Sequence, residues 1–369
     1  MTLHPDLARI DGRSTATSPN DILAVMTVRN ERVRLPWLFA YYRKLGVDRF
    51  FVIDNDSTDG TTEWLLSQDD THTFFTRESY RNAQHGTQWH NSVLGSFALD
   101  RWCLTVDADE VLVYPLSEQI DLRALCGLLS DWSAEAMFAL MLDCYGQGRV
   151  HESRYEEGSP FWDANPYFDR GPYFVAATPG HTPSFSVRGG VRHRSFAWDA
   201  KLGGAPVIRK APLVKVREGD AYLNSTHRIN RKPLAPISGA LLHFKFLGDF
   251  QTRIEEDVSR KDRPDTGRHY DIYAGALAGE VDKTLISAAS HRYSDSLQLV
   301  SLGLCGLPRK AAAALFEQAK GSLSVSQRNV LWSRIKEVMA AQREQFRPEL
   351  GHLLQLFAET DPSDGGFTL

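Results

Sequence analysis

Asp107 and Asp109, in the string DADE at 107–110, stand one residue apart just after the apolar run Trp102, Cys103, Leu104, Thr105 and Val106. Side chains on a strand alternate between faces, but a chain turning off the end of a strand can aim two carboxylates into one space. Such a pair can hold a hard divalent cation through oxygen ligands. A cation there would neutralise a diphosphate, the chemistry expected where a nucleotide-activated donor is used. An Asp-x-Asp pair is short enough to arise by chance, and acidic pairs after strands are ordinarily solvated. Its weight comes from the residues around it.

Those residues form a pattern. Upstream, Arg49, Phe50, Phe51, Val52 and Ile53 run into Asp54, Asn55, Asp56, Ser57, Thr58, Asp59, Gly60 and Thr61, a second strand finishing in an acidic turn. Ser57 or Thr58 is placed to cap the helix that Glu63, Trp64 and Leu65 begin. A third apolar run, 22–28, ends in Arg29, Asn30 and Glu31. Between the first two strands Trp37, Leu38, Tyr41, Tyr42 and Leu45 recur at helical spacing, with Gly46 as the stop. Another helix is expected over 87–99, where Trp89, Val93, Phe97 and Ala98 make a stripe suited to a core rather than to a ligand. Strands alternating with helices predict an α/β fold with a Rossmann-like, mostly parallel sheet. Such sheets bind ligands beyond the carboxyl ends of their strands.

VRNE at 28–31, DNDSTDGT at 54–61 and DADE at 107–110, in that order, resemble the nucleotide-sugar half of a family 2 glycosyltransferase. The resemblance implies the A-type glycosyltransferase fold and a Mn2+ or Mg2+ cofactor. It also implies a UDP- or GDP-linked sugar donor and inverting transfer to a glycan or surface-polysaccharide acceptor. Carried over residue by residue, Asn30, Glu31 and Asp54 hold the base and ribose, while Asp107 and Asp109 are the donor and metal pair. Many members have two adjacent Asp residues in the second turn, where this chain has Asn55, an amide that can still hydrogen-bond a base or ribose.

The second half resembles a bacterial subgroup through GGVR at 189–192 and LLHFK at 241–245. The glycine pair would let backbone approach a ligand closely, and Arg188, Arg192, His193 and Arg194 could meet phosphate oxygens or simply form a solvated face. His243, alone in an apolar run, is either a hydrogen-bonded core residue or the late histidine that completes the metal sphere in many A-type enzymes; His227 is the other candidate. An inverting transfer also needs a base within reach of the acceptor hydroxyl. The usual Glu-Asp pair after the glycine loop is not evident. Asp143, ending the run 137–142, is the first choice, ahead of Asp199, Glu218 and Asp220.

Composition sets wider bounds. The chain has 369 residues, with 42 Lys and Arg against 46 Asp and Glu, so no basic excess points to nucleic acid. Cys103, Cys126, Cys144 and Cys305 lie far apart in mostly apolar surroundings and read as buried thiols in a reducing compartment. The start of the chain has no signal-peptide pattern, and no apolar stretch is long enough to span a bilayer. A cytoplasmic enzyme is expected, with peripheral membrane contact left open. The expected organisation is a loose polar lead-in over 1–20 and a catalytic domain over 21–250, its nucleotide half 21–115 and acceptor half 116–250. A mainly helical region follows over 251–369. The aromatics between 146 and 190 suit either an acceptor wall or the packing of a long loop.

Two other readings compete. The Asp54 turn also fits a haloacid-dehalogenase-type phosphatase, with Asp54 as nucleophile and Asp56 as acid/base. A non-catalytic nucleotide- or glycan-binding module is the third.

Overall fold

The computed structural model describes residues 3–178, 184–196, 198, 204–223, 225–230, 232–260, 271–275 and 284–344. Its strands, in chain order, are β1 Ala8–Arg9, β2 Leu23–Val28, β3 Arg49–Asp54, β4 Thr71–Phe75, β5 Trp102–Thr105, β6 Glu110–Val113, β7 Ala136–Asp143, β8 Tyr167–Asp169, β9 Tyr173–Thr178, β10 Ser184–Gly189, β11 Arg209–Lys215, β12 Tyr222–Leu223, β13 Ser225–Ile229, β14 Gly239–His243 and β15 Ser290–Arg292. Among the described residues, nine of these make one sheet in the order β1-β4-β3-β2-β5-β11-β7-β14-β6. β2, β3, β4 and β5 are mutually parallel. β11 is antiparallel to both β5 and β7, and β14 is parallel to β7. So β2, β3, β4, β5, β7 and β14 all point the same way, while β1 and β6 run against them at the two edges. The fold is α/β with a Rossmann-like, mostly parallel sheet.

The sequence of each central strand explains its place. β2 reads LAVMTV and β7 reads AMFALMLD, nearly or wholly buried along their length. Strands covered on both faces need such continuous apolar runs. Helix α1, Leu35–Leu45, starts with a Pro in its first turn and stops at Gly46 in the left-handed conformation, as its spacing predicts. It buries Leu35, Leu38, Phe39, Tyr42 and Leu45, and Tyr41 and Tyr42 donate hydroxyl protons to the Leu112 and Glu110 carbonyls at 2.6 and 2.8 Å. Helix α2, Thr61–Leu66, follows β3, and α3, Thr87–Phe97, buries Trp89 and Val93. Helices α4 (Leu122–Asp131), α5 (Phe161–Ala164), α6 (Gly190–Ser195) and α7 (Phe250–Arg260) follow.

Two expectations change. Part of the lead-in is tied to the sheet: Ala8 and Arg9 of β1 pair with β4, and the buried Asp11 carboxylate accepts from Arg9 at 2.9 Å and from the Thr73 N–H at 3.0 Å. Neither Ser57 nor Thr58 caps α2, whose N-cap is Gly60, because both are drawn back to Asp54 and Asn30. Of the aromatics between 146 and 190, Phe161 and Phe168 are fully buried, with the Phe161 ring tilted against Trp37 at 4.5 Å, so these two take the packing alternative, while Phe174 is half exposed. One apolar core runs from Leu7 to Val338 and includes Leu297, Val300 and Leu315 from helices Ser296–Ser301 and Arg309–Ala319. All four cysteines are buried and unbridged. Among the described residues no helix is long and apolar enough to cross a membrane.

Candidate active site

The shared strand direction brings chemistry to one edge of the sheet. β2 hands over to Arg29, Asn30 and Glu31, β3 ends in Asp54, β5 leads into Asp107, β7 ends in Asp143 and β14 ends in His243. The register sets Val28 beside Asp54 and Asp143 beside His243, while antiparallel β6 starts there with Glu110 opposite His243. A cavity of about 260 Å³ opens at this edge. Its wall includes Asn30, Glu31, Arg34, Asn55, Asp107, Asp109, His243, Lys245, Asp249, Arg253 and Glu256.

The two carboxylates of DADE face this cavity with different partners. Asp107, with 44 % of its side chain exposed, lies 3.4 Å from Lys210 Nζ. Lys210 is fully buried and donates to Glu110 Oε2 at 2.6 Å, and the same oxygen accepts the Asp107 N–H at 2.9 Å. Burial alone would lower the Lys210 pKa, but Asp107 and Glu110 outweigh it and raise it. The lysine is therefore a fixed positive charge beneath Asp107. Asp109, 22 % exposed, sets its Oδ2 3.3 Å from His243 Nε2. Its burial would raise the carboxyl, and His243 more than reverses this.

His243 sits between two acids. Its Nδ1 donates to Asp143 Oδ1 at 2.6 Å, and Arg192 Nε donates to Asp143 Oδ2 at 2.6 Å. Burial would lower the imidazole, but Asp109 and Asp143 push it up to about 9. Asp143 has only 2 % of its side chain exposed and both oxygens engaged, so it cannot meet an acceptor hydroxyl as the sequence expectation required. Arg192 is likewise buried against Asp143 and does not line the cavity, which removes the phosphate-facing role expected of it. Of the rest of that basic cluster, His193 is exposed beside the Phe174 ring, and both arginines are bonded to protein acceptors. Arg188 donates to the Ala205 carbonyl at 2.7 Å and Arg194 to Asp169 at 2.7 Å.

At the first strand end, the Glu31 carboxylate is buried under two arginines. Arg253 of α7 donates to it through both Nη atoms at 2.7 and 2.6 Å, and Arg34 donates at 3.1 Å. Asp249 joins both arginines, bonded to Arg34 and 2.7 Å from Arg253 Nε. Asn30 lines the cavity at a positive φ of 53°, its Oδ1 accepting the Thr58 N–H at 2.8 Å. The second turn divides its labour differently from expectation. Asp54 is fully buried and off the cavity wall, its Oδ1 taken by the Ser57 N–H and hydroxyl at 3.0 and 2.6 Å and its Oδ2 by the Thr62 hydroxyl. It builds the turn. Asn55 is the residue of this turn that lines the cavity, with Nδ2 donating to the Thr76 and Glu78 carbonyls at 3.3 and 2.9 Å.

Of the remaining candidates, Asp220 accepts the Arg217 N–H at 2.6 Å and pairs with Lys232, and Glu218 is exposed; neither lines the cavity. Asp199 lies outside the described residues. His227 is turned to the Arg209 carbonyl, 3.1 Å from Nδ1, and burial together with Lys210 pushes it down to about 3. Sequence reading missed Lys210, Glu110, Arg34 and Arg253. Glu110 belongs to DADE itself, and its signal was an acid at the start of the apolar run Val111, Leu112, Val113. Arg253 carries no local signal at all.

The chain fits a divalent cation in a limited way. Asp109 and His243 offer a carboxylate oxygen and an imidazole nitrogen 3.3 Å apart on the cavity wall, a donor set suited to manganese. Among the described residues no group of three or more His, Cys, Asp or Glu stands ready to hold a metal, so the protein would supply only part of the coordination sphere.

No family model matches the chain, and no curated protein matches it. Solved structures with partial likeness include a 4-diphosphocytidyl-2C-methyl-D-erythritol synthase, at 15% identity and a TM-score of 0.25, covering 54% of this chain and 94% of the other. Another is described as a glucose-1-phosphate thymidylyltransferase from Bacillus anthracis in complex with sucrose, at 8% identity and a TM-score of 0.26, covering 76% of this chain and 93% of the other. At TM-scores this low neither likeness carries weight for the site.

Proposed function

We propose that this protein is a metal-dependent, inverting glycosyltransferase that moves a sugar from a UDP- or GDP-linked donor to a glycan or surface-polysaccharide acceptor. The observation that carries the reading is convergence. Asp107, Asp109 and His243 meet Asn30, Glu31 and Asn55 around one cavity at the carboxyl ends of the parallel strands, where α/β sheets open their ligand crevice. Asp109 and His243 would hold Mn2+ or Mg2+, which when bound offsets the charge of a leaving diphosphate. Arg34, Lys245 and Arg253 line the same cavity and would add to that neutralisation. Lys210 keeps Asp107 ionised and fixed, so that its carboxylate can accept a hydroxyl of the donor. Asn55, which lines the cavity from the second turn, would meet base or ribose.

The phosphatase reading needs Asp54 as an accessible nucleophile, and a fully buried carboxylate with both oxygens bonded does not serve. A binding module would share the cavity but not turn over. A thermal-shift panel of nucleoside diphosphates and sugar nucleotides, with and without Mn2+, tests the reading, since a ligand of the native state raises its apparent stability. UDP or GDP with Mn2+ should raise Tm, and Mn2+ should add to the effect of the nucleotide. No shift with any pair would remove the proposal.

A further inference from the structure

The GGVR string does not reach the cavity, so its geometry calls for another account. Gly189 takes φ 144° and Gly190 φ 64°. A Cβ on Gly189 would lie 2.3 Å from the Pro172 carbonyl oxygen, and one on Gly190 3.2 Å from the Tyr173 ring. The Gly190 N–H donates to that same Pro172 oxygen at 3.2 Å. Only residues without a Cβ let this corner close. The corner starts α6, and α6 carries Arg192 to Asp143, where Nε and Oδ2 are 2.6 Å apart. Asp143 Oδ1 in turn lies 2.6 Å from His243 Nδ1, and Arg192, Asp143 and His243 are all buried. An ionised carboxylate only accepts, so the proton between Asp143 and His243 belongs to Nδ1. Nε2 is then the nitrogen that faces Asp109, at 3.3 Å, on the cavity side.

We propose that Arg192 and Asp143 are positioning residues for the cation, Arg192 fixing Asp143 and Asp143 fixing the tautomer and orientation of His243 so that Nε2 is presented beside Asp109. The GGVR corner is the device that delivers Arg192. This inference rests on the reading of the site as metal-dependent. Cation binding would send any proton on Nε2 to solvent and leave the one on Nδ1 in place, so no further reactant is needed. A carboxylate behind a metal-bound histidine sets its ring orientation and basicity, and removing such a partner typically lowers metal affinity 10- to 100-fold.

The test is Mn2+ affinity, read from the electron paramagnetic resonance signal of free Mn2+, for the full chain alone and with UDP. Asp143→Asn and Arg192→Gln should each weaken Mn2+ binding about 10- to 100-fold, and Arg192→Lys should recover part of the loss. In the Mg2+ and UDP complex, nitrogen-15 spectra should show His243 protonated at Nδ1 and bare at Nε2 in the wild type, and a mixture of tautomers in Asp143→Asn. Asp143→Asn is isosteric and decides the matter alone where Arg192→Gln does not fold. Mn2+ affinity of Asp143→Asn within about twofold of wild type, with the tautomer unchanged, would overturn the inference. If wild type binds Mn2+ and Asp109→Ala loses it while Asp143→Asn keeps it, only this inference fails. A wild-type protein that binds no Mn2+ would sink the metal reading and the inference together.

Discussion

Asp107 and Asp109 are the same carboxylate two positions apart, and their neighbours assign them different work. Lys210 lies 3.4 Å from the first and His243 lies 3.3 Å from the second. A buried lysine cannot leave Asp107 without stranding its own charge, whereas an imidazole can exchange a proton for a metal ion. Asp109→Asn should therefore lower Mn2+-dependent turnover by roughly 10³-fold, the several kcal/mol that a Lewis-acid ion supplies, while the circular dichroism spectrum stays that of the folded protein. Comparable turnover in the variant, or full turnover in excess chelator, would contradict the assignment. The histidine also sets a pH dependence. His243 is raised from 6.5 to about 9, so in the metal-free protein its share of stability is present below pH 6.5 and is lost as pH rises through 9. Metal binding runs the other way, because the cation must displace that proton. Mn2+ affinity should rise by up to about tenfold per pH unit below that pKa, measured by titration at successive pH values. A flat profile would show that His243 does not hold the ion.

Elements reach the site through pairs that span the sheet. Lys210 on β11 and Glu110 on β6 are both fully buried at 2.6 Å, so removing one partner strands the other. Lys210→Met should cost about 3–5 kcal/mol in urea unfolding, and adding Glu110→Gln should restore most of that loss. A double variant no more stable than the single would mean the pair is not coupled. At the β10 to α6 corner, Gly189→Ala places a Cβ 2.3 Å from backbone at positive φ and should destabilise the fold by on the order of 1–3 kcal/mol, read as a lower Tm.

The same elements show what a sequence can reveal. β2, β3, β5 and β7 were legible because a strand covered on both faces stays apolar until it leaves the sheet, and each then meets Asn30, Asp54, Asp107 or Asp143. The partners were not. Lys210 is 100 positions from Glu110, and Arg253 is 222 positions from Glu31, so no local spacing could couple them. Ser57 and Thr58 look like caps because hydroxyls favour helix starts, yet here the acceptors behind them, Asp54 and Asn30, compete more strongly than the N–H groups ahead. Asp143 marked a strand end correctly, but its burial under Arg192 depends on a corner made by Gly189 and Gly190 elsewhere in the chain.

The whole molecule gathers these pieces on one edge. The cavity wall carries Arg34, Lys245 and Arg253 among the carboxylates of Glu31, Asp107, Asp109, Asp249 and Glu256, so charges of both signs meet in one place. Arg253 joins α7 to Glu31 at the first strand end, so the two halves of the chain share one wall of the site. The central claim is that this wall serves metal-dependent transfer from a sugar nucleotide. Release of nucleoside diphosphate from a panel of UDP- and GDP-sugars should be measured with Mn2+, with chelator, and in Asp109→Asn. The account predicts release from at least one donor that needs Mn2+ and fails in Asp109→Asn; release that is indifferent to both, or none from any donor, would contradict it.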